Sequence, residues 1–397
     1  MGVGWHAPTG TIDKLFDAHG NSLGFLRVLF ATLVILDHAF PLGGFNRGVD
    51  PMWGWTNSQE DIGGMAVFGF FVVSGFLVTQ SFDNSGSVPR FFWKRFLRVF
   101  PGFWVCLLVT VVVFAPITYL QQFGGLGGYL SGPGGPLSYL YHDWYLQMTQ
   151  YDVDGLLRHV PFPQAFDGSL WTLVYEAKCY VGVAILGSVG VFKRWRFAAV
   201  GVSLLFWVAQ LEGTLHPTRL GGLPLLGDIH MAQLAFMFSL GMLLYLYRDR
   251  VLISNSLAVV AVVVFLVGMR TGLYEGIGEA AFAYLCFWLA VRLPFYRFDR
   301  FGDFSYGIYI YAFPVQQLAA VYGAQRWGLA AYVVLSLGGT LVFAIPSWFL
   351  IEKRSLSLKA ARLGPGFGHV RSTFRRHTPR SVPQRNSRGG GAPRTRT

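Results

Sequence analysis

The chain has 397 residues, of which 53% are hydrophobic and only 13% charged, and its mean hydropathy is +0.44. A soluble domain carries about 25% charged residues, so this composition indicates a polytopic membrane protein and excludes an ordinary soluble enzyme. The net charge of +12 reflects basic residues in alternate connections and in the C-terminal tail, so it is interpreted mainly as a signal of topology and not of nucleic-acid binding. No short apolar segment with a small-residue cleavage site precedes the first long span, so no removable signal peptide is predicted.

Ten apolar segments are candidate membrane spans. Several are a little shorter than the roughly 20 residues that a helix needs to cross a bilayer. The sequence therefore predicts an all-α polytopic membrane protein with about ten transmembrane helices. The predicted spans lie near 23–41, 62–80, 99–120, 172–191, 196–212, 230–247, 255–270, 275–292, 303–322 and 328–350.

Basic residues cluster in alternate connections between the spans. The connections 81–98, 192–196, 248–254 and 292–302 each hold two or more Lys or Arg, whereas each intervening connection holds a single Arg. Because cytoplasmic loops carry an excess of Lys and Arg, this pattern predicts that both termini are cytoplasmic. On that topology five of the 32 basic residues lie outside and Lys178 lies within a span, which leaves 26 on the cytoplasmic side.

The chain is predicted to divide into a cytoplasmic segment 1–22, a transmembrane domain 23–355 and a tail 356–397. The tail is rich in Arg, Gly, Pro and Ser and has no acidic residue beyond 362, so it is predicted to be disordered and cytoplasmic. Two interpretations of its charge stay open: contact with anionic lipid, or a solvated anchor that fixes the topology.

The longest connection, 121–171, is predicted to be extracytoplasmic. It begins Gly-rich and then becomes aromatic, and these aromatic side chains fit either an interfacial belt, which we favour, or a surface that stacks on a sugar. The cysteines Cys106, Cys179 and Cys286 fall in apolar segments, which predicts buried packing and neither disulfides nor a metal site.

Arg27 and His38 share one face of the first predicted span. Eleven residues at about 100° each bring His38 back to within roughly 20° of Arg27, and the helical rise places them about 16 Å apart. An ionisable side chain inside a membrane helix is costly and usually faces protein or a water-filled cavity where it has a function. A histidine titrates near neutral pH and can move a proton or an acyl group, so His38 is a candidate catalytic residue.

Two carboxylates are candidate partners of His38. Glu176 lies about one turn into the fourth span, and the predicted topology places it at a depth similar to that of His38. A carboxylate beside a histidine orients the ring and stabilises its cation. The alternative is a structural ion pair of Glu176 with Lys178 or Arg270. Asp37 adjoins His38 in sequence, but neighbouring helical positions point about 100° apart.

A second basic cluster holds Lys94, Arg95 and Arg98 at the same predicted level as Arg27. Arg95 and Arg98 are three residues apart, so they share a helix face. Several guanidinium groups together form a good phosphate site, because each can donate a forked pair of hydrogen bonds. The alternative, favoured on these residues alone, is a cationic membrane anchor beside Trp93. The clusters suggest a phosphate-bearing donor inside and an acceptor outside.

Taken together, these segments resemble the acyltransferase-3 family of integral membrane acyltransferases, and the resemblance covers most of 20–355. Each motif is weak alone, but their order and spacing match the family, and 351–353 (IEK) resembles the family's Glu-Arg-Pro ending loosely. The motifs are Arg27 with His38, 70–77 (FFVVSGFL), 94–101 (KRFLRVFP), 169–176 (SLWTLVYE) and 302–310 (GDFSYGIYI).

The resemblance implies a role for each candidate residue. His38 is implied as the catalytic residue, with Glu176 supporting the site or the acceptor. A cytoplasmic acyl-CoA is the implied donor, and Arg27, Arg95 and Arg98 are implied to hold it or to help pass the acyl group. Beside the resemblance, Asp37 is a further catalytic candidate and Lys94 a further candidate for donor binding. Many members have a second His in the ninth span where this chain has Ala312, so Tyr309, Gln316 or Gln317 is expected to bind the acceptor instead.

The resulting hypothesis is O-acylation, most simply O-acetylation, of a carbohydrate in the inner membrane of a bacterium. The acceptor class is a cell-surface polysaccharide, glycolipid or exopolysaccharide. His38 either deprotonates the acceptor hydroxyl or first accepts the acyl group. A thioester is activated enough that neither a metal nor a bound cofactor is expected, and no nucleic acid is an expected partner. The main alternative is a transporter of acyl donor or glycan precursor; a scaffold that works through its basic tail is the third.

Overall fold

The computed structural model describes residues 9–17, 20–216 and 226–360, without the side chains of 299, 301 and 360. The start of the predicted segment 1–22 and nearly all of the predicted tail 356–397 therefore lie outside the described residues. A helix coincides with each of the ten predicted spans. These helices are α1 (Leu23–Gly43), α2 (Ile62–Asp83), α3 (Val88–Val109), α4 (Thr172–Ser188), α5 (Arg196–Leu215), α6 (Ile229–Leu246), α7 (Asn255–Thr271), α8 (Glu279–Arg292), α9 (Ser305–Val321) and α10 (Leu329–Ser347).

Short helical elements connect or extend these helices. Short α-helices of four to eight residues lie at Ile12–Leu15, Pro51–Trp55, Pro136–Asp143 and Lys353–Ser357. A π-turn at Thr110–Phe114 continues α3 into Ala115–Phe123, and further π-turns lie at Tyr274–Gly278 and Trp348–Glu352. Turns of 3₁₀ helix lie at Phe45–Gly48, Gly168–Trp171, Phe298–Phe301, Ala324–Trp327 and Leu358–Ala360.

Within the residues that the structure describes, seven helical segments are long and apolar enough to cross a membrane. They are Leu23–Gly43, Ile62–Asp83, Val88–Phe123, Gly168–Ser188, Arg196–Leu215, Ile229–Leu246 and Leu329–Ser357. The other three predicted spans are the helices α7, α8 and α9, with 17, 14 and 17 residues. The all-α, multi-pass prediction is therefore confirmed in this coarser form.

Side-chain caps explain where four of the helices begin. The first turn of a helix leaves backbone N–H groups without intrahelical partners, and a preceding Ser or Asp can accept from them. Asp61 accepts from the N–H of Gly64 at 2.5 Å and so fixes the start of α2. Ser87, Asp228 and Ser254 cap α3, α6 and α7 in the same way.

Helix α9 lies at the centre of the molecule. Nearly every residue of α9 is buried, including both of its glutamines, and α9 packs against α1 and α10. A helix that is apolar all round belongs in a core, which explains this position. By contrast, α5 and α7 expose rows of large aliphatic side chains, as a lipid-facing surface does.

Helices α2 and α6 approach each other most closely because two glycines face across the contact. A Cβ on Gly75 would overlap the carbonyl oxygen of Phe238, and a Cβ on Gly241 would overlap the carbonyl oxygen of Val72. Small residues at such a crossing allow two membrane helices to pack backbone against backbone. This contact fixes α2, which carries one wall of the candidate site.

The connection 121–171 is folded and not structureless. Tyr139, on the short helix Pro136–Asp143, is fully buried and donates a hydrogen bond to Asp167 at 2.5 Å. Tyr141 and Trp144 are exposed. Tyr139 is therefore a core residue, and only the exposed aromatic side chains remain available to a belt or a sugar.

Two further details complete the fold. A two-residue antiparallel pairing joins β1 (Gly10–Thr11) to β2 (Leu252–Ile253), with Gly10 opposite Ile253, which ties the N-terminal segment to the turn before α7. The three cysteines are buried and free, so the prediction of buried packing is confirmed.

Candidate active site

A cavity of about 130 Å³ lies among α1, α2, α3, α4 and α9. Some of its polar lining residues were predicted from the sequence as site residues, and the others were not. Arg27, Arg95, Arg98 and Glu176 all line it, so the fold brings the predicted arginines and the predicted carboxylate of α4 into one site. The other polar lining residues are Ser74, Thr172, Tyr180, Ser305, Tyr306 and Tyr309.

One carboxylate holds two of the arginines. Arg27 of α1 and Arg98 of α3 each donate to the same Oδ2 atom of Asp303, both at 2.6 Å. The other oxygen, Oδ1, accepts from the hydroxyl of Ser305 at 2.7 Å. Asp303 lies just before α9, and it belongs to the motif 302–310. The sequence analysis assigned no role to Asp303. The feature that could have identified it is an acidic residue at the edge of a predicted span, in a region rich in basic residues.

Arg95 has spare hydrogen-bonding capacity. Its Nη2 donates to Ser81 at 3.3 Å, and its guanidinium lies 5.8 Å from the ring centre of Tyr180. Its Nε is buried and has no hydrogen-bond partner among the described residues. A buried guanidinium nitrogen without a partner is costly, so Arg95 is the arginine best placed to bind an added anion.

Lys94 and Lys359 lie near this basic group but do not line the cavity in the described part of the chain. Lys94 donates to Ser85 at 2.9 Å. Lys359 follows the helix Lys353–Ser357, which packs on α3. Trp93 donates to the carbonyl oxygen of Leu358 at 3.4 Å and holds this segment in place. Sequence reasoning did not single out Lys359.

Burial and neighbouring cations act on Lys359. Burial, together with the positive charges of Arg98 and Arg95, lowers the pKa of Lys359 to about 8. Lys94 adds to this repulsion, and Asp303 acts in the opposite direction. Lys359 thus lies near Arg98, Arg95 and Lys94, and a bound anion would reduce the repulsion among these four cations.

Glu176 forms a hydrogen bond inside the cavity. The hydroxyl of Ser74 donates to Glu176 Oε1 at 2.6 Å. The alternative of an ion pair with Lys178 or Arg270 finds no support in the described residues. The ammonium of Lys178 lies 4.6 Å from the ring centre of Tyr175, and Arg270 donates to Asn57.

His38 lies beyond the cavity. Its ring meets the ring of Phe313 edge-on at 5.3 Å, and its Nδ1 is buried without a hydrogen-bond partner among the described residues. It is not among the cavity-lining residues of the described chain, although Arg27 on the same face of α1 is one. Among the described residues no hydrogen bond joins His38 to Glu176, and Nδ1 of the ring has no partner.

Asp37 turns towards the start of α2. Its carboxylate lies against Gly63 and within 4.8 Å of the carboxylates of Asp50 and Asp61. Asp50 caps the helix Pro51–Trp55 and Asp61 caps α2, so helix capping accounts for two of the three acids. Burial raises the pKa of Asp61, with a further rise from Asp50. We assign no metal to this group.

The expected acceptor residues of α9 have different surroundings. Gln316 donates to the carbonyl oxygen of Ile35 at 2.9 Å, and Gln317 donates to those of Phe162 and Ala165. Both amides therefore tie α9 to neighbouring backbone. Tyr309 lines the cavity.

Comparison with known proteins agrees with these observations. The sequence profile of a family described as "Acyltransferase domain" matches residues 21–349. This chain belongs to the acyltransferase-3 family. It is therefore a membrane acyltransferase.

Two curated proteins are similar to this acyltransferase over nearly their whole length. An "O-acetyl transferase" of Shigella phage Sf6 is 30% identical over 367 residues, which cover 86% of this chain and 98% of the phage protein. "Nodulation protein 10" of Rhizobium leguminosarum bv. viciae is 27% identical over 392 residues, which cover 89% of this chain and 97% of the Rhizobium protein. No solved structure matches the chain.

Proposed function

We propose that this acyltransferase moves an acyl group, in the first instance acetyl, from acyl-CoA to a hydroxyl group of a carbohydrate. The observation that carries the proposal is the arrangement along one face of α1: Arg27 lies in a basic cavity, and His38, with a free ring nitrogen, lies about 16 Å further along. The name of the phage relative supports acetyl as the group and oxygen as the acceptor atom. The acceptor class is a cell-surface polysaccharide, a glycolipid or an exopolysaccharide.

We propose ten spans in the inner membrane, with both termini in the cytoplasm. The domains are then a cytoplasmic segment 1–22, a transmembrane domain 23–355 and a cytoplasmic tail 356–397. The basic connections support this orientation. It puts the arginine cavity on the side where acyl-CoA is made, and it puts His38 nearer to the outer side, where a surface carbohydrate is exposed.

The donor's phosphates would bind at the arginines. Asp303 neutralises only one of the two charges on Arg27 and Arg98, and Arg95 keeps a free N–H group. The cavity therefore carries a surplus of positive charge, which matches the several phosphates of coenzyme A. Lys94 lies outside the cavity and would contribute as a charge at its entrance. Glu176, bonded to Ser74, would support the cavity wall.

His38 would act by one of two routes. In the direct route, a ring nitrogen takes the proton of the acceptor hydroxyl while the oxygen attacks the thioester carbonyl carbon. The C–S bond then breaks, and the thiolate of coenzyme A leaves and recovers the proton. In the relay route, the ring nitrogen attacks the thioester carbonyl carbon, the C–S bond breaks and the thiolate of coenzyme A leaves. The acceptor hydroxyl then attacks the carbonyl carbon of the acyl-histidine and the C–N bond breaks. The hydroxyl proton passes by way of the released ring to the thiolate.

Radiolabelled acetyl-CoA given to membranes that contain the protein and a surface-glycan extract tests the proposal. Wild type should place base-labile label in the glycan, and His38→Ala should lose it while still inserting in the membrane. His142→Ala is the matched control, because His142 is an exposed histidine of the connection 121–171. It should retain full activity.

Other outcomes decide between the alternatives. Equal labelling by His38→Ala would remove His38 from the chemistry. A transporter would move label across the membrane without forming an ester. Transport of label by wild type without a base-labile product would therefore contradict the proposed acyl transfer.

A further inference from the structure

Three aromatic side chains form a continuous layer across the site. The ring of Phe70 on α2 meets the ring of Phe30 on α1 edge-on at 5.6 Å and the ring of Tyr309 on α9 at 5.7 Å. Phe30 lies directly on the backbone of Gly69, where a Cβ would be 2.5 Å from the ring. We call Phe30, Phe70 and Tyr309 the aromatic layer. The aromatic layer connects three helices of the site. The packing of Phe30 on Gly69 leaves no space for a larger side chain at residue 69.

The aromatic layer lies between the arginines and His38. On α1, Phe30 is about 4.5 Å further along the helix than Arg27 and about 12 Å short of His38. Helix α9 gives the same order: the Tyr306 ring lies 5.8 Å from the guanidinium of Arg98, and Tyr309 lies one turn further on. A second turn along α9 leads to Phe313, the neighbour of His38.

The cavity reaches the aromatic layer but does not reach His38. Phe70, Tyr309 and Thr172 line it, and so does Val67, one turn nearer to the His38 end of α2. Phe313 and His38 are not lining residues in the described chain. A donor held by the arginines therefore meets the layer before its acyl group can reach His38.

Two hydrogen bonds fix Tyr309 in this closed position. Its hydroxyl donates to the carbonyl oxygen of Ser169 at 2.8 Å and lies 2.6 Å from the hydroxyl of Thr172. Tyr309 is only 7% exposed, so its ring has little room to move without a shift of its neighbours. The position of the ring is thus determined by α4 and by the segment before it, which contains Ser169.

We propose that the aromatic layer determines which acyl groups this enzyme transfers, by admitting short acyl chains towards His38 and excluding longer ones. This inference rests on the proposed function, since it assumes an acyl-CoA donor at the arginines and chemistry at His38. Phe70 and Tyr309 are then specificity-determining residues. Discrimination by one methylene in an apolar pocket is worth about 10- to 200-fold in rate.

A series of acyl-CoA donors tests the layer. Acetyl-, butyryl- and octanoyl-CoA are supplied to membranes with a surface-glycan extract, and kcat/KM is measured for each donor. Phe70→Ala should raise the butyryl-to-acetyl ratio about tenfold or more over wild type. Phe70→Leu, which keeps more of the packing, should raise it less.

Phe68→Ala is the matched control on the same helix. Phe68 is also buried but stacks on Tyr274, with ring centres 6.3 Å apart, and it does not line the cavity. Its truncation should leave the butyryl-to-acetyl ratio unchanged. A shift in this control equal to that of Phe70→Ala would show general loosening of α2 and overturn the assignment.

The remaining outcomes separate the two proposals. If wild type transfers acetyl and both Phe70 variants keep its ratio, the layer is not the selectivity determinant and the proposed function stands. If wild type transfers no acyl group of any length, the proposed function fails, and this inference falls with it.

Discussion

At the scale of single residues, the ion pairs show how the basic cavity is kept folded and open to an anion. Asp303 neutralises one charge of the Arg27–Arg98 pair, which allows two guanidinium groups from different helices to lie side by side. Arg95 has no carboxylate at salt-bridge distance among the described residues. The site therefore combines a stabilised pair with one arginine that a ligand can use.

Replacing Asp303 by Asn should destabilise the protein, because two neighbouring cations then lose their shared carboxylate. We expect a loss of about 3 kcal/mol in the free energy of unfolding, at the low end for a buried pair because these side chains keep 14–24% exposure. Thermal unfolding of the purified protein in detergent measures it.

Asp13→Asn provides the comparison, since the Asp13–Arg248 pair lies at the surface, with 58% of the Asp13 side chain exposed. Removal of this surface pair should lower the free energy of unfolding by less than about 1 kcal/mol. Equal losses in the two variants would show that the bridge made by Asp303 has no special role.

Lys359 predicts a pH dependence of donor binding. With a pKa of about 8 it loses its charge as the pH rises through that value, so its attraction for the proposed donor, coenzyme A, would be present below pH 8 and lost above it. Because bound phosphate would raise this pKa, the affinity should fall by up to about tenfold per pH unit just above pH 8. Binding of coenzyme A to the purified protein between pH 7 and 9 measures the slope.

Lys359→Gln should bind coenzyme A more weakly at pH 7 and should lose most of this slope. Lys353→Gln is its control, because Lys353 is an exposed lysine of the same segment, over the ring of Phe349. An unchanged slope in Lys359→Gln would assign the pH dependence to another group.

At the scale of helices, the site depends on contacts that hold long helices in register. Helix α1 carries both Arg27 and His38, and α9 carries Tyr306, Tyr309 and the neighbour of His38. A shift of α2 would move Phe70 and Ser74 together, since both project from its cavity face. The close crossing of α2 with α6 is therefore a structural requirement of the site.

Gly75→Val tests this crossing. The new side chain would overlap the backbone of Phe238, which cannot move aside as a side chain does. Overpacking of this kind costs typically about 1–3 kcal/mol, and contact with backbone puts the change at the upper end. We expect a lower yield of folded protein in membranes and a lower midpoint of thermal unfolding.

Gly182→Val in α4 is the matched substitution, since a Cβ at Gly182 meets no atom within 4 Å. It should fold normally. If both variants fold alike, the α2–α6 contact is looser than the structure indicates.

At the scale of the whole molecule, the family match and the residues of the site precede the segment 362–397. The family match ends at residue 349, and every residue assigned to the site precedes 360. Deleting 362–397 should therefore leave kcat/KM for acetyl transfer unchanged, as measured in membranes with equal amounts of inserted protein. Loss of transfer by an inserted truncated protein would instead favour the scaffold hypothesis, in which the tail is the working part.

The sequence predicted the main groups of the site but not their partners. Arg27, Arg95, Arg98 and Glu176 were found from charge within apolar helices, and the structure brings all four to one cavity. Asp303 was not found, because an acid at the edge of a predicted span looks like any solvated charge until the fold shows what lies beside it.

The relation of His38 to the carboxylates shows the same limit. Helical periodicity correctly separates Asp37 from His38 on α1, since it needs only the geometry of one helix. Placing Glu176 relative to His38 requires the tilt and offset of α4 against α1, which no local pattern contains. The structure pairs Glu176 with Ser74 instead.

By itself the sequence determined that this protein is helical, apolar enough for a membrane and equipped with arginines and a histidine on one helix face. These features follow from composition and from a period of about 3.6 residues, both of which are local. Only the tertiary structure decided that Asp303 joins two arginines, that the cavity is lined by Phe70 and Tyr309, and that His38 lies beyond it. Those facts depend on how separate helices pack, and packing is set by long-range contacts such as the one between Gly75 and Gly241.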